Sequence, residues 1–299
     1  MAIRRFPLFK RETPTSSITE SDQASAQEPA ISRRRLLRAG PGLAGALVLA
    51  GSASASAHVP TPRATTAPRP VAPRPRPAVP SAAPVALRPL RQPVFTLKDY
   101  RRALPGPAFP TDAIALTIDD GPHPVWTPKI LRLLDRHHVP ALFCMIGNQV
   151  LGHETVARDV VRDGHQVANH TWSHPTKFGR RPHARMRREL ARAQEKIYDT
   201  TGYAPTLFRS PGGDWSPALL GAAAKARMVP LDWSDDPRDW SRPGVAAITR
   251  RLLDARPGQI LLCHDGGGDR SQTYTALSTV IPALQARGYR FVALDQRHP

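Results

Sequence analysis

The chain has 299 residues, with 42 Lys and Arg against 24 Asp and Glu, for a formal net charge of +18. That length suits one large domain with appendages. The excess positive charge comes without a zinc-finger, helix-turn-helix or aromatic ribonucleoprotein pattern, so it does not support a nucleic-acid-binding function.

In chain order, Ser32-Arg33-Arg34-Arg35-Leu36-Leu37-Arg38 precedes a moderately apolar stretch at 39–49, followed by the small residues Ala55-Ser56-Ala57. Residues 1–57 therefore read as an export signal, with paired arginines that resemble the twin-arginine class. The competing reading is a membrane anchor, but the apolar core falls short of the ~20 residues a span needs. The expectation is a secreted monomer whose mature chain begins near His58, which touches the membrane only through its export signal and associates with the cell wall. Residues 58–93 form a linker: from Pro60 to Pro93 there are 11 prolines, 6 arginines and no acidic residue. Such a composition cannot build a core and predicts an extended, positively charged tether. Residues 94–299, the third region, carry 28 Lys and Arg against 20 Asp and Glu. This milder basicity fits anionic wall polymers better than DNA. Cys144 and Cys263 each lie inside an apolar run and read as two buried thiols, although a single bridge outside the cell stays open.

Within the third region short apolar runs alternate with longer amphipathic ones. Strands are predicted at 113–118, 141–146, 166–168, 206–208, 227–231, 259–263 and 290–293. Helices are predicted at 128–137, 154–162, 185–200, 216–226, 244–255 and 273–286. In the last of these Leu277, Val280, Ile281 and Leu284 recur at helical spacing. Repeated strand–helix units imply an α/β fold with a parallel sheet and right-handed crossovers. About seven units suit a distorted (β/α) barrel, with its chemistry at the carboxyl ends of the strands.

Five polar clusters fall at such ends. Thr117-Ile118-Asp119-Asp120-Gly121-Pro122 sets two adjacent carboxylates at the end of a buried strand, where like charges need a cation, a proton or an arginine between them. A turn at Gly121-Pro122 could bring both to one mouth, one to hold a metal and the other to act as a base. His170-Thr171-Trp172-Ser173-His174 spaces two histidines four apart, which on a helical turn would let both bind one metal with Asp120. Nitrogen and oxygen donors suit zinc, while cobalt, nickel and iron stay open. In Phe208-Arg209-Ser210-Pro211-Gly212-Gly213, Arg209 could hold a carboxylate ionised, and the glycines allow a close approach to backbone N–H groups. Trp233-Ser234-Asp235-Asp236-Pro237-Arg238-Asp239-Trp240 mixes indoles and carboxylates, as a sugar site would. Ile260-Leu261-Leu262-Cys263-His264-Asp265-Gly266 ends a buried strand in a histidine suited to proton donation.

In this order the five clusters resemble the motifs of the polysaccharide deacetylase family (the NodB-homology domain, carbohydrate esterase family 4) over roughly 112–294. Ile118 stands where that family usually carries an aromatic residue, and Gly212 where many members carry tyrosine. The resemblance implies a divalent metal, usually zinc, on Asp120, His170 and His174. It implies Asp119 as base, held ionised by Arg209, and the Gly212 N–H as an oxyanion donor. His264 would be the acid, tuned by Asp236, with Leu262 and Trp240 around the acetyl methyl group. Trp215, Trp240, Trp172 and Asp214 are candidates for shaping the groove. The implied partner is an acetylated polysaccharide or oligosaccharide, and the implied activity is removal of N-acetyl groups from chitin oligosaccharides or peptidoglycan. O-deacetylation of acetylxylan is the alternative enzyme reading, and a non-catalytic glycan-binding wall module is the alternative outside catalysis.

Overall fold

The structure, a computed structural model, describes residues 89–294. The stretches expected to be an export signal (1–57) and a linker, up to residue 88, lie outside the described residues, as do 295–299.

Seven strands form one parallel sheet: β1 (Ala113–Asp119), β2 (Ala141–Met145), β3 (Gln166–Asn169), β4 (Leu207–Phe208), β5 (Val229–Pro230), β6 (Ile260–His264) and β7 (Arg290–Phe291). Their order is β5-β4-β3-β2-β1-β6, and β7 pairs with the start of β1. The sheet curls until the chain after β5 reaches β6. Asp235 bridges to Leu261 in parallel, and Leu262 N donates to Asp235 O at 3.0 Å. This is the distorted barrel expected from the strand count. The seven predicted strands and six predicted helices all appear, within a few residues at each end: α2 (Trp126–Arg136), α4 (Glu154–Arg162), α5 (His183–Thr201), α6 (Pro217–Lys225), α7 (Val245–Leu253) and α8 (Ser271–Ala286).

Two further helices were not foreseen, α1 (Leu97–Ala103) and α3 (Gly147–Val150). Each buries only two residues, too few to set up a periodic pattern. Thr96 caps α1 by accepting from Asp99 N at 3.1 Å. The start of α3 requires glycine, since a Cβ on Gly147 would lie 2.7 Å from Trp172 and 2.8 Å from Ala193.

Every residue of β1, β2, β3 and β6 is buried, because helices cover the outside of the sheet and the curl encloses the inside. Side chains alternate between these layers. From β1, Ile114, Leu116 and Ile118 pack outward with Ile130, Leu133 and Leu134 of α2. Ala113 and Ala115 point inward with Leu142, Cys144 and Ile260. Each fully buried leucine or isoleucine in the outer layer contributes roughly 1.5–3 kcal/mol. The inward parity carries Thr117 and Asp119 to the open end of the curl, and Leu262 and His264 share it on β6. Cys144 belongs to the inner layer and Cys263 to the outer one, on strands separated by β1. They point to opposite faces, and both are free and buried.

Candidate active site

β1 ends with Asp119 facing inward, and Asp120 then takes a left-handed backbone conformation (φ 76°) that turns its carboxylate to the same mouth. The close approach of Asp265 fixes this turn. A Cβ on Gly121 would sit 2.5 Å from Asp265 Oδ1, and one on Gly266 would overlap the Asp120 carbonyl. Asp265 Oδ2 accepts from Thr127 Oγ1 at 2.5 Å, Thr127 Oγ1 accepts from His123 N at 2.7 Å, and the loop from β1 to α2 is tied down.

Arg209, fully buried after β4, reaches across the mouth. Its Nη1 donates to Asp119 Oδ1 at 2.7 Å and to Thr117 Oγ1 at 2.8 Å, and its Nη2 donates to the Asp232 carbonyl at 3.0 Å. Burial alone would raise the Asp119 pKa, but the Arg209 charge, helped by His170 and His264, holds it below the ordinary carboxylate value. Asp119 is thus held in its ionised form. The two aspartates are tolerated side by side because a guanidinium serves one and imidazoles the other.

His170 Nδ1 donates to the Arg209 carbonyl at 2.9 Å, which leaves Nε2 to face the carboxylates. Asp120 Oδ1 lies 3.5 Å from His170 Nε2 and 3.3 Å from His174 Nε2. One donor atom from each of Asp120, His170 and His174 falls within 4.8 Å of the others. The set passes a test of fit for a cation: Asp120 Oδ1 is buried with no hydrogen-bond partner, the state expected of an oxygen meant for a metal. Burial raises the Asp120 pKa, but His170 and the two other imidazoles more than offset it, and the carboxyl stays ionised. His174 is lowered by burial and by its neighbour His170, which favours the neutral, ligating form.

The histidine pair does not lie on a helical turn, as its spacing suggested. Residues 170–174 form a loop in which Thr171 (φ 69°) and His174 (φ 51°) are both left-handed. Convergence on Asp120 comes from that loop and not from helical periodicity.

Beside Asp119, in register at the end of β6, stands His264. Its Nδ1 donates to Asp239 Oδ1 at 2.7 Å, while Asp239 Oδ2 accepts from His264 N at 2.9 Å and Thr273 Oγ1 at 2.8 Å. Burial would pull the His264 pKa down, but the Asp239 bond and charge, with Asp120 and Asp119, lift it to about 9. Asp236 is not the residue that tunes His264. Asp236 Oδ1 accepts from Arg238 N at 2.7 Å at the cleft wall, and buried Asp235 pairs with Arg251 at 2.6 Å. The short helical turn Asp239–Ser241 aims Asp239 alone at β6. The cleft holds about 370 Å³ and is bounded by Asp119, Asp120, His170, His174 and His264, with Gly212, Leu262, Trp233, Asp236 and Trp240 completing its wall.

Trp215 departs from expectation. It packs edge-on against Phe208, with ring centroids 5.4 Å apart, and donates through Nε1 to Asp232 Oδ2 at 2.8 Å, away from the cleft. Trp233 takes the wall position instead. Asp214 is spent on Gly179 N at 2.8 Å, and Trp172 lies under Arg192, whose Cζ is 3.8 Å from the ring centroid. Sequence reasoning gave no individual role to Asp239, Thr117 or Asp265, and it placed Trp233 and Asp239 only within a cluster of indoles and carboxylates whose geometry was unknown.

The family model described as polysaccharide deacetylase matches residues 107–231. A chitooligosaccharide deacetylase of Sinorhizobium fredii is 40% identical over 214 residues, covering 67% of this chain and 98% of the relative. The chain belongs to the polysaccharide deacetylase family. It is a carbohydrate deacetylase, a hydrolase. A peptidoglycan-N-acetylglucosamine deacetylase of Bacillus cereus is 38% identical over 186 residues, or 61% of this chain and 86% of that one. Among solved structures, the Bc1960 peptidoglycan N-acetylglucosamine deacetylase is 31% identical with a TM-score of 0.60, covering 67% of this chain and 89% of its own. All five motif clusters of this polysaccharide deacetylase lie within the described barrel, at the carboxyl ends of its strands.

Proposed function

We propose that this deacetylase removes N-acetyl groups from glycans containing N-acetylglucosamine, either chitin oligosaccharides or peptidoglycan, and that Asp120, His170 and His174 hold a divalent cation for the reaction, zinc being the best match to two imidazoles and a carboxylate. A cation held there supplies Lewis acidity to the acetyl carbonyl and makes water more acidic. The remaining chemistry is carried by the chain itself. Asp119, kept ionised by Arg209, accepts a proton from the attacking water as its oxygen bonds to the carbonyl carbon. Gly212, in a left-handed turn with no side chain to block the cleft, offers its backbone N–H to the developing oxyanion. His264, charged through Asp239, gives its proton to the amide nitrogen as the C–N bond breaks, and acetate and a free amine result. Leu262 and Trp240 supply the apolar contact for the acetyl methyl group.

The observation that carries this reading is the placement, at the paired ends of β1 and β6 and lining one cleft, of Asp119 bonded to the Arg209 guanidinium and His264 bonded to the Asp239 carboxylate, beside the unpartnered Asp120 Oδ1. Support for export comes from the sequence alone, through the paired arginines and small-residue site within 1–57, and the proposed place of action is the cell wall or extracellular medium. The experiment is acetate release from chitooligosaccharides, peptidoglycan and acetylxylan, with Asp119→Asn as control. Release from the first two and loss in the variant are expected. Release from acetylxylan alone would replace the N-deacetylase reading with the O-deacetylase one.

A further inference from the structure

His170 and His174 are oriented by different means. The ring of His170 is fixed through Nδ1 by the Arg209 carbonyl, the usual way a metal-facing imidazole is held. His174 has no such bond among the described residues, and its side chain is 38% exposed. The position of its Nε2 must therefore come from the backbone that carries it. That backbone is costly, because Thr171 is β-branched and left-handed, and His174 is left-handed as well.

The polar groups that hold this loop can be traced one by one. Thr171 N donates to Asn169 Oδ1 at 2.9 Å, and His174 N donates to Thr171 Oγ1 at 3.0 Å. The carbonyls of Thr171 and Trp172 each accept, from Gly147 N and Asn148 N, at 2.9 Å. The residue next to His174 is fastened from outside the loop: Ser173 N donates to Glu189 Oε2 and Ser173 Oγ to Glu189 Oε1, both at 2.8 Å. Glu189 lies on α5 at only 9% exposure, a buried carboxyl whose two oxygens are both used on this one serine. One turn further along α5, Arg192 stacks on Trp172. Gly147 and Asn148 of α3 and Arg192 of α5 hold Thr171 and Trp172, and among the described residues Glu189 is the side chain that hydrogen-bonds Ser173, the residue next to His174.

We infer that Glu189 is a positioning residue for the cation site, setting where His174 presents Nε2 by clamping Ser173 to α5. The inference rests on the metal reading of Asp120, His170 and His174. A carboxylate suits the task because one rigid fork accepts from a backbone N–H and a hydroxyl on the same residue. Without it, two donors lose their acceptor and the left-handed pair is free to relax, which draws Nε2 away from Asp120. Partners that orient metal ligands typically govern 10–100-fold in affinity.

The test is the zinc dissociation constant of the full chain, measured by competition with a chromogenic chelator, together with the visible spectrum of the cobalt-loaded protein. Glu189→Ala is expected to bind zinc at least about tenfold more weakly and to alter the cobalt bands. Glu189→Gln should stay within about threefold of wild type, since its amide oxygen can accept from Ser173 N while the serine hydroxyl turns to accept from the amide nitrogen. Ser173→Ala, at an exposed position, loses one of the two bonds and should weaken binding about two- to fivefold while the metal-free protein stays folded. Wild-type affinity and spectrum in Glu189→Ala would overturn the inference. An unfolded Glu189→Ala together with unchanged zinc affinity in Ser173→Ala would do so too, by making Glu189 a residue of the fold alone. If the wild-type chain itself binds no zinc, the metal reading fails first, a result distinct from either.

Discussion

Asp239→Asn removes the charge behind His264 while keeping its shape. In the native site the carboxylate takes three hydrogen bonds, from His264 Nδ1 at 2.7 Å, His264 N at 2.9 Å and Thr273 Oγ1 at 2.8 Å. Asp239 leads the groups that lift His264 from an ordinary 6.5 to about 9 against the downward pull of burial. With its charge gone, Asp119 and Asp120 remain, so part of the rise survives. A fall of one to two units is expected, about 1.4–2.7 kcal/mol of lost preference for the imidazolium. In the proposed mechanism His264 acts in its protonated form, so kcat/KM should fall as pH rises through its pKa. The alkaline limb should therefore move to lower pH by one to two units in Asp239→Asn and stay put in Asp236→Asn. The assay is acetate release across pH 5–10, extended to the limits of stability. An alkaline limb that moves with Asp236 and not with Asp239 would refute the assignment.

Three other outcomes follow from the geometry. Arg209→Met leaves Asp119 buried without its guanidinium and should cost roughly 3–5 kcal/mol in denaturant unfolding, while the acid limb of kcat/KM moves up in pH as Asp119 loses the charge that lowers its pKa. Trp240→Ala should raise KM for glycan because Trp240 is an exposed wall of the cleft, whereas Trp215→Phe should leave KM unchanged and reduce only stability, through the lost bond to Asp232. His165 is buried, with Nδ1 accepting from Ala141 N at 3.3 Å and Nε2 facing no acceptor, and burial lowers its pKa below 6.5. A depressed pKa means that the unfolded chain takes up a proton the folded one refuses, so its share of stability is present above about pH 6.5 and is lost below it. The fall in urea midpoint from pH 7 to pH 5 should be smaller in His165→Asn than in wild type.

The strands could be read from the sequence because burial on both faces leaves plain apolar runs, and their polar ends stood out for the same reason. The residues that converge at the mouth were legible wherever a strand aims the side chain. The inward parity of β1 and β6 places Asp119, Leu262 and His264 together, and no loop geometry is needed. What the sequence could not convey lies in irregular backbone. Asp235, Asp236 and Asp239 share one loop, and only its folded path decides which carboxylate reaches His264 and which meets Arg251 or Arg238. Trp215 was drawn out of the groove onto Phe208 and Asp232 for the same reason. The His-x-x-x-His spacing suggested a helix where the chain makes a strained loop, because spacing alone does not distinguish the two routes to convergence.

The cation site is the central claim, and chelation with restoration tests it most directly. Purified chain would be stripped with a chelator until elemental analysis finds no bound transition metal, then assayed for acetate release before and after one equivalent of zinc. The expected result is loss of release on stripping and recovery with zinc, with no recovery in His174→Ala. Acetate release that persists at the native rate in metal-free protein would contradict the assignment of Asp120, His170 and His174.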